Sequence, residues 1–150
     1  MQISSILTED RCKAHITGAS KKRLLESLAT IFADSLPEGD ATALFQNLVG
    51  RERLGSTGIG QGIAIPHCRF ATKGETLCAC LTLDTPIDFD AVDGEPIDLV
   101  FAMLVPEDAE DSHLQALATL AEALQNPSYV EELRACPNNH ELFRIAAGVN

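Results

Sequence analysis

The stretch Gly55-Ser-Thr-Gly-Ile-Gly-Gln-Gly-Ile-Ala-Ile-Pro-His-Cys-Arg69 contains four glycines and leads into an isoleucine–proline–histidine sequence. Glycine allows positive φ angles and lets other groups approach the backbone closely. The alternation over Ile63–Ile65 predicts a short strand. Pro66 lacks a backbone donor and is predicted to end regular pairing. His67 is therefore predicted to lie in a fixed position at the tip of a strand, beside a glycine-rich loop.

A histidine held in this way has two interpretations. Neutral imidazole is a good nucleophile near pH 7, but a lone histidine can also be an ordinary hydrogen-bonded residue. The two familiar nucleotide-loop patterns are absent, since there is no Gly-Lys-Ser/Thr and the glycine spacing does not fit G-x-G-x-x-G. A strand also follows the loop where those patterns need a helix. The loop is thus predicted to serve something other than a nucleotide.

The longer stretch Arg51-Glu-Arg-Leu-Gly-Ser-Thr-Gly-Ile-Gly-Gln-Gly-Ile-Ala-Ile-Pro-His67 resembles the active-site signature of the fructose/mannitol-type enzyme IIA proteins of the bacterial phosphotransferase system. The nitrogen-regulatory branch of that family is the most similar. The resemblance runs from Ile3 to about Ala147, and includes the segments Ser20-Lys-Lys-Arg-Leu-Leu and Asp111-Ser-His-Leu-Gln-Ala-Leu.

The resemblance implies a fold, a site and a reaction. The fold would be one α/β domain over residues 1–150, a mixed β-sheet with helices on both faces. His67 would accept a phosphoryl group on Nε2, with His113 beside it. Arg51, sixteen residues before His67, would pair with the phosphate, since guanidinium binds phosphate oxygens in a bidentate way. Arg53 remains a competing candidate. His113 and either arginine could instead be ordinary helix-terminal residues.

The loop residues Gly55, Ser56, Thr57, Gly58 and Gly60 are candidates for contact with the phosphoryl group. The hydroxyls of Ser56 and Thr57 could equally hold the loop in shape. The resemblance implies a histidine-containing phosphocarrier partner of the HPr type, and regulatory targets such as transporters or kinases. The protein itself would need no metal, nucleotide or other cofactor for this transfer.

Composition limits the partners and the compartment. The chain has 150 residues, 45% of them hydrophobic, and a net charge of −11. This charge disfavours nucleic acid and anionic membranes and favours basic protein surfaces. The first residues lack the features of a signal peptide. The longest apolar run, Leu99–Val105, is too short to cross a membrane. We therefore expect a cytoplasmic protein without membrane insertion.

Hydrophobic periodicity and capping residues predict the α/β layout. Leu114, Leu117, Ala121 and Leu124 are predicted to form one apolar helix face, and Asp93-Gly94 to form a tight turn. The predicted helices begin after Ser20, after Asp40, at Asp111 or Ser112, at Pro127 and at Asn139, and the predicted strands lie around 63–65, 77–83 and 97–104.

Three alternative interpretations remain open. A fructose- or mannitol-specific enzyme IIA would relay phosphate to a IIB domain during sugar uptake. A binding module would use phosphorylation only to switch a contact. A metal-binding protein would use His67, Cys68 and His113, although their spacing does not match standard zinc sites. The five scattered cysteines are more simply buried thiols, and His15 and His140, which lack any surrounding motif, are predicted to lie on the surface.

Overall fold

The computed structural model describes residues 2–17, 19–109 and 111–148, and the side chains of all of these except residues 111–113. A short 3-10 helix, Ile3–Ser5, precedes the first strand. The strands are β1 (Leu7–Ile16), β2 (Gly58–Gly60), β3 (Ile63–Ala64), β4 (His67–Phe70), β5 (Leu77–Ile87) and β6 (Ile97–Pro106). The helices are α1 (Lys21–Asp34), α2 (Ala41–Arg53), α3 (Asp111–Ala123), α4 (Pro127–Ala135) and α5 (Asn139–Ala146).

The strands form one mixed sheet. Its order is β1-β5-β6-β3-β2, and β4 also pairs with β6, beyond the end of β3. β1 runs parallel to β5, and β3 and β4 run parallel to β6, whereas the β5–β6 and β2–β3 pairs are antiparallel. The predicted mixed sheet is thus confirmed. In the parallel β4–β6 pair, His67 lies opposite Met103.

Helices cover both faces of this sheet, as predicted. Side chains of a strand alternate between its faces, and β6 shows the consequence. Phe101 and Met103 pack into one core with residues of α3, α4 and α5. Val100 and Ala102 pack into a second core with residues of α1 and α2. Both sides of β6 are therefore buried, which explains why its sequence is a continuous apolar run.

The predicted helix starts are confirmed by capping side chains. The Ser20 hydroxyl accepts the Arg23 N–H at 3.2 Å, and the Asp40 carboxylate accepts the N–H groups of Thr42 and Ala43. These bonds satisfy backbone donors that the first helical turn leaves free. Asn126 caps α4 in the same way, with Pro127 as its first residue.

The strands β1, β2 and β4 were not predicted. β1 carries three consecutive exposed residues and breaks in register against β5, so it shows no regular alternation. Cys78 and Cys80 are both fully buried on β5, as expected. No helix within the described residues is both long and apolar enough to cross a bilayer.

Candidate functional site

His67 is the first residue of β4, and it follows a two-residue interruption after β3. Pro66 interrupts the strand as predicted, but its carbonyl still accepts the Met103 N–H at 2.9 Å. Pairing with β6 therefore resumes at His67, which opens a new strand where the sequence predicted a strand tip. This attachment to the sheet fixes the histidine backbone.

The imidazole of His67 is half-buried, and its Nδ1 lies 2.7 Å from the carbonyl oxygen of Ile65. A carbonyl oxygen can only accept a hydrogen bond, so Nδ1 carries the proton. In the neutral ring the other nitrogen, Nε2, then holds the free lone pair. This contact orients the ring and leaves Nε2 as its nucleophilic atom.

Glycines allow the loop that precedes His67 in the chain to fold tightly. A Cβ atom on Gly58 would lie 2.7 Å from the Cβ and 2.9 Å from the Cα of Ala91, so a larger residue does not fit there. Gly60 and Gly62 have φ angles of +99° and +79°, which favour glycine. The predicted need for glycine is therefore confirmed at these positions.

A cavity of about 530 Å³ lies beside His67, where the end of α2, the strand β4 and the start of α3 meet. Asn47 helps hold α2 against β4, because its side-chain amide donates to the Arg69 carbonyl at 3.0 Å. The cavity is lined by Gln46, Asn47, Gly50, Arg51, Leu54, His67, Cys68, Arg69, Val105, Leu114 and Leu117.

The charges of this cavity contrast with those of the whole chain. Its described lining includes the basic residues Arg51 and Arg69 and no acidic residue, although the chain has a net charge of −11. Arg51 donates from Nη1 to the Gly55 carbonyl at 2.9 Å. Arg53, the competing candidate, points into a different groove, between α1 and α2. The structure thus brings Arg51, and not Arg53, to the cavity of His67.

The predicted loop candidates make contacts within the protein. The Ser56 hydroxyl donates to the Phe89 carbonyl at 2.7 Å, and the Thr57 hydroxyl donates to Glu52. Gly55 and Gly58 contribute backbone contacts, the latter through its N–H to Ser56. None of the five candidates is part of the described cavity lining. Their described contacts hold the loop, and a direct contact with a phosphoryl group remains a prediction.

His113 lies in the first turn of α3, as the sequence predicted. Its side chain lies outside the described part of the structure, so its relation to His67 remains a prediction. The predicted apolar face of α3 is only partly correct. Leu124 is buried, and Leu117 and Ala121 are partly buried against the same core, but Leu114 is exposed. The buried face instead includes Ala116 and Leu120, which were not predicted, whereas Leu114 and Leu117 line the cavity.

Two exposed leucines form an apolar rim around the cavity. Leu54, at the end of α2, is 84% exposed, and Leu114 is 39% exposed. Exposed apolar side chains such as these are suited to burial in the core of an interface with another protein. His15 and His140, the other two histidines whose side chains the structure describes, are exposed, as predicted.

The geometry gives little support to a metal centre. His67 and Cys68 are neighbours on one strand, so their side chains leave the backbone in opposite directions. Burial raises the pKa of the Cys68 thiol to about 12, whereas metals bind the thiolate. The described side chains contain no group of three that could hold a metal ion.

Comparison with known proteins shows the family of this chain. The chain belongs to the family described as "Phosphoenolpyruvate-dependent sugar phosphotransferase system, EIIA 2", whose model matches residues 5–147. This family is the one that the sequence resembles, and its members are phosphotransferase-system components of the enzyme IIA type.

Within the family, the chain is similar to nitrogen regulatory proteins. It is 46% identical to the "Nitrogen regulatory protein" of Pseudomonas aeruginosa, over 99% of this chain and 97% of that one. The crystal structure of nitrogen regulatory protein IIA-Ntr from Neisseria meningitidis superimposes with a TM-score of 0.85 at 36% identity, covering 96% and 98% of the two chains. Mannitol enzyme IIA from Escherichia coli shares the fold, with a TM-score of 0.74 at 19% identity.

Sequence reasoning missed two residues near this site. Arg69 follows His67 by two positions, and this spacing places both side chains on one face of β4, so the strand period could have indicated it. Glu52 is 9% exposed and binds Thr57. Nothing in its local sequence distinguishes it from an ordinary surface residue of a helix.

Proposed function

We propose that this protein is a phosphoryl carrier and regulator. In this proposal Nε2 of His67 accepts a phosphoryl group from the phosphohistidine of an HPr-like carrier protein. The observation that carries the proposal is the cavity beside His67, which combines a ring with a defined free nitrogen, two guanidinium groups and no described carboxylate. Such a site favours a dianionic group in a strongly acidic protein.

The reaction is an in-line transfer between two imidazoles. The Nε2 lone pair of His67 forms a bond to phosphorus while the nitrogen–phosphorus bond of the donor breaks, and the donor ring keeps those electrons. The three equatorial oxygens carry the charge of the transition state, so positioned cations and N–H donors provide most of the catalysis. Arg51 and Arg69 would bind these oxygens, and the family resemblance assigns a similar donor role to His113. The transfer itself requires no metal.

The experiment that tests this proposal is phosphorylation with phosphoenolpyruvate and the general phosphotransferase components, followed by intact-mass measurement. The parent protein should gain one acid-labile phosphoryl group. His67→Ala should abolish the gain, while His15→Ala and His140→Ala, which change exposed histidines elsewhere, should retain it. An acid-labile adduct that persists in His67→Ala would overturn the assignment.

The assisting role of His113 has its own test. His113→Ala should still allow phosphorylation of His67, but should slow onward transfer by about 10- to 1000-fold if one charge-stabilising donor is lost. Transfer at the parent rate would return His113 to the role of an ordinary helix-terminal residue.

We further propose that the phosphorylation state is a signal, to targets in nitrogen, potassium or carbon regulation. The relatives named nitrogen regulatory proteins support this role. A doubly charged group on His67 should weaken the binding of partners that cover it with apolar or acidic surface. It should not weaken the binding of partners that bring arginine or lysine to it. Partner proteins bound at moderate salt should therefore differ between His67→Ala and His67→Asp.

A sugar-transport relay is the second candidate. The chain also matches part of the "PTS system fructose-specific EIIABC component" of Bacillus subtilis, with 32% identity. The match covers 97% of this chain and 23% of that protein. Identical partner sets for the parent and both His67 variants, together with phosphate transfer to a IIB domain, would favour this relay over regulation.

A further inference from the structure

A continuous set of contacts connects the buried Glu52 carboxylate to the ring of His67. It begins at the end of α2, where the Glu52 side chain is 5% exposed. The Thr57 N–H lies 3.2 Å from both carboxylate oxygens, and the Thr57 hydroxyl donates to one of them. One carboxylate thus fixes both the backbone and the side chain of Thr57.

The next contacts pass from Thr57 to the histidine. The Thr57 carbonyl accepts the Ile65 N–H at 2.9 Å. The Ile65 carbonyl in turn accepts the Nδ1–H of His67 at 2.7 Å. The orientation of the Ile65 carbonyl decides which ring nitrogen is protonated, because this carbonyl is the acceptor that Nδ1 faces.

Two anchors hold this segment, one on each side. On one side, the Pro66 carbonyl is bonded to Met103 of β6 at 2.9 Å, and β6 lies inside the sheet. On the other side, the anchor is Thr57, which belongs to the loop before β2. That loop anchor keeps its position through Glu52.

Glu52 is itself held in place by a half-buried cation. Lys21 Nζ lies 3.1 Å from Glu52 Oε1, and 4.6 Å over the Phe89 ring. It also donates to the Phe89 carbonyl at 3.2 Å. A carboxylate so deeply buried needs such a partner, and Lys21 ties the start of α1 to the end of α2.

We infer that Glu52 is a positioning residue that, through Thr57 and the Ile65 peptide, keeps the proton of the neutral His67 ring on Nδ1. The nucleophilic lone pair therefore stays on Nε2. The inference deepens the proposed function, and its kinetic consequence rests on that function. Its structural consequence, the protonated nitrogen of His67, can be measured without any phosphate.

The test is the ring ¹⁵N chemical shifts of His67, read from a long-range ¹H–¹⁵N spectrum at a pH where the ring is neutral. The parent should show the proton on Nδ1. Glu52→Gln and Thr57→Val should both show a mixture of the two tautomers. Thr57→Ser, which restores the hydroxyl, should return the ring to the parent state.

Asp90→Asn is the matched control. Asp90 is the second carboxylate near Lys21, at 3.5 Å, but its side chain is 78% exposed. Its removal changes the charge beside Lys21 and leaves the contacts to Thr57 intact, so the parent tautomer should persist. A shift in Asp90→Asn as large as that in Glu52→Gln would overturn the inference, because charge alone would then explain the effect.

The inference is also overturned if either Glu52→Gln or Thr57→Val keeps a parent-like backbone amide spectrum and the parent tautomer. If Glu52→Gln does not fold, Thr57→Val decides alone. Phosphorylation of the folded variants should be slower by about 10- to 100-fold, as expected for a misoriented nucleophile. A parent protein that is never phosphorylated would refute the proposed function and leave the tautomer result standing.

Discussion

Arg51 donates a 2.9 Å hydrogen bond from Nη1 to the carbonyl oxygen of Gly55. The bond turns the side chain back along the end of α2 and ties it to the start of the glycine-rich loop. Among the described residues, it is the one hydrogen bond that this side chain makes, so other N–H groups of the guanidinium can bind an anion in the cavity. The same loop is held by Glu52, which binds Thr57.

Arg51→Ala should slow phosphoryl transfer through His67 by about 10- to 1000-fold, because one cationic donor to the equatorial oxygens is lost. Arg53→Ala is the matched control, since Arg53 lies two residues away on the same helix but points into another groove. Rapid-quench measurement of phosphoryl transfer would compare them. Equal rates for the two variants would remove Arg51 from the proposed site.

Leu54→Ser should weaken binding of the phosphocarrier partner by about tenfold, which corresponds to about 1.4 kcal/mol. Leu54 is 84% exposed on the cavity rim, whereas Val92 is 78% exposed beside β2, away from the cavity. Val92→Ser therefore removes a similarly exposed apolar group and should leave binding unchanged. Isothermal titration would measure both, and a comparable loss in Val92→Ser would contradict docking at the cavity.

Gly58→Ala should destabilise the fold by about 1–3 kcal/mol, as overpacking does, because the added Cβ would lie 2.7 Å from Ala91. Gly50→Ala is the control of opposite sign. Gly50 lies inside α2 with nothing within 4 Å of an added Cβ, so alanine should stabilise the helix by about 0.5–1 kcal/mol. Urea unfolding would measure both changes, and a neutral Gly58→Ala would disprove the close contact.

We expect His15 to make a pH-dependent contribution to the free energy of unfolding, because both nitrogens of its exposed ring face acceptors. Its Nδ1 lies 2.7 Å from Asp84 Oδ1 and its Nε2 lies 2.9 Å from the Cys136 carbonyl. Both acceptors are satisfied only by the doubly protonated ring. The hydrogen bond to Asp84, followed by that to Cys136, raises the pKa of His15 above its ordinary value of 6.5.

A raised pKa in the folded state stabilises the protein fully below the unfolded value of 6.5, and this stabilisation is lost as the pH rises through the folded value. The free energy of unfolding should thus differ between the parent and His15→Asn more at about pH 5 than at about pH 8.5. Asparagine is chosen because residue 15 has a φ of +59°, which asparagine tolerates. In an Asp84→Asn background, most of this pH-dependent difference between proteins with His15 and with His15→Asn should disappear. A difference in free energy of unfolding that does not change with pH would refute the pairing of His15 with Asp84.

Much of the fold was determined by local patterns in the sequence. Ser20 and Asp40 predicted the starts of α1 and α2, because a side-chain oxygen before an apolar helical pattern can cap the helix locally. The run Leu99–Val105 predicted the buried strand β6. The signature through Pro66 and His67 indicated the family and the candidate phosphoacceptor, because the glycine spacing and the proline constrain the backbone within a few residues.

Only the tertiary structure decided which distant groups meet. β1 lacked a regular pattern, and its pairing with β5 joins residues far apart in the chain. The resemblance favoured Arg51 with Arg53 as a competitor, and the packing of α2 decides that Arg51 lines the cavity of His67 whereas Arg53 lines another groove. The contact between Lys21 and Glu52 was not predicted, because it depends on how α1 packs against α2. Sequence specifies local conformation and burial pattern, whereas the neighbours of a buried charge are set by packing over the whole chain.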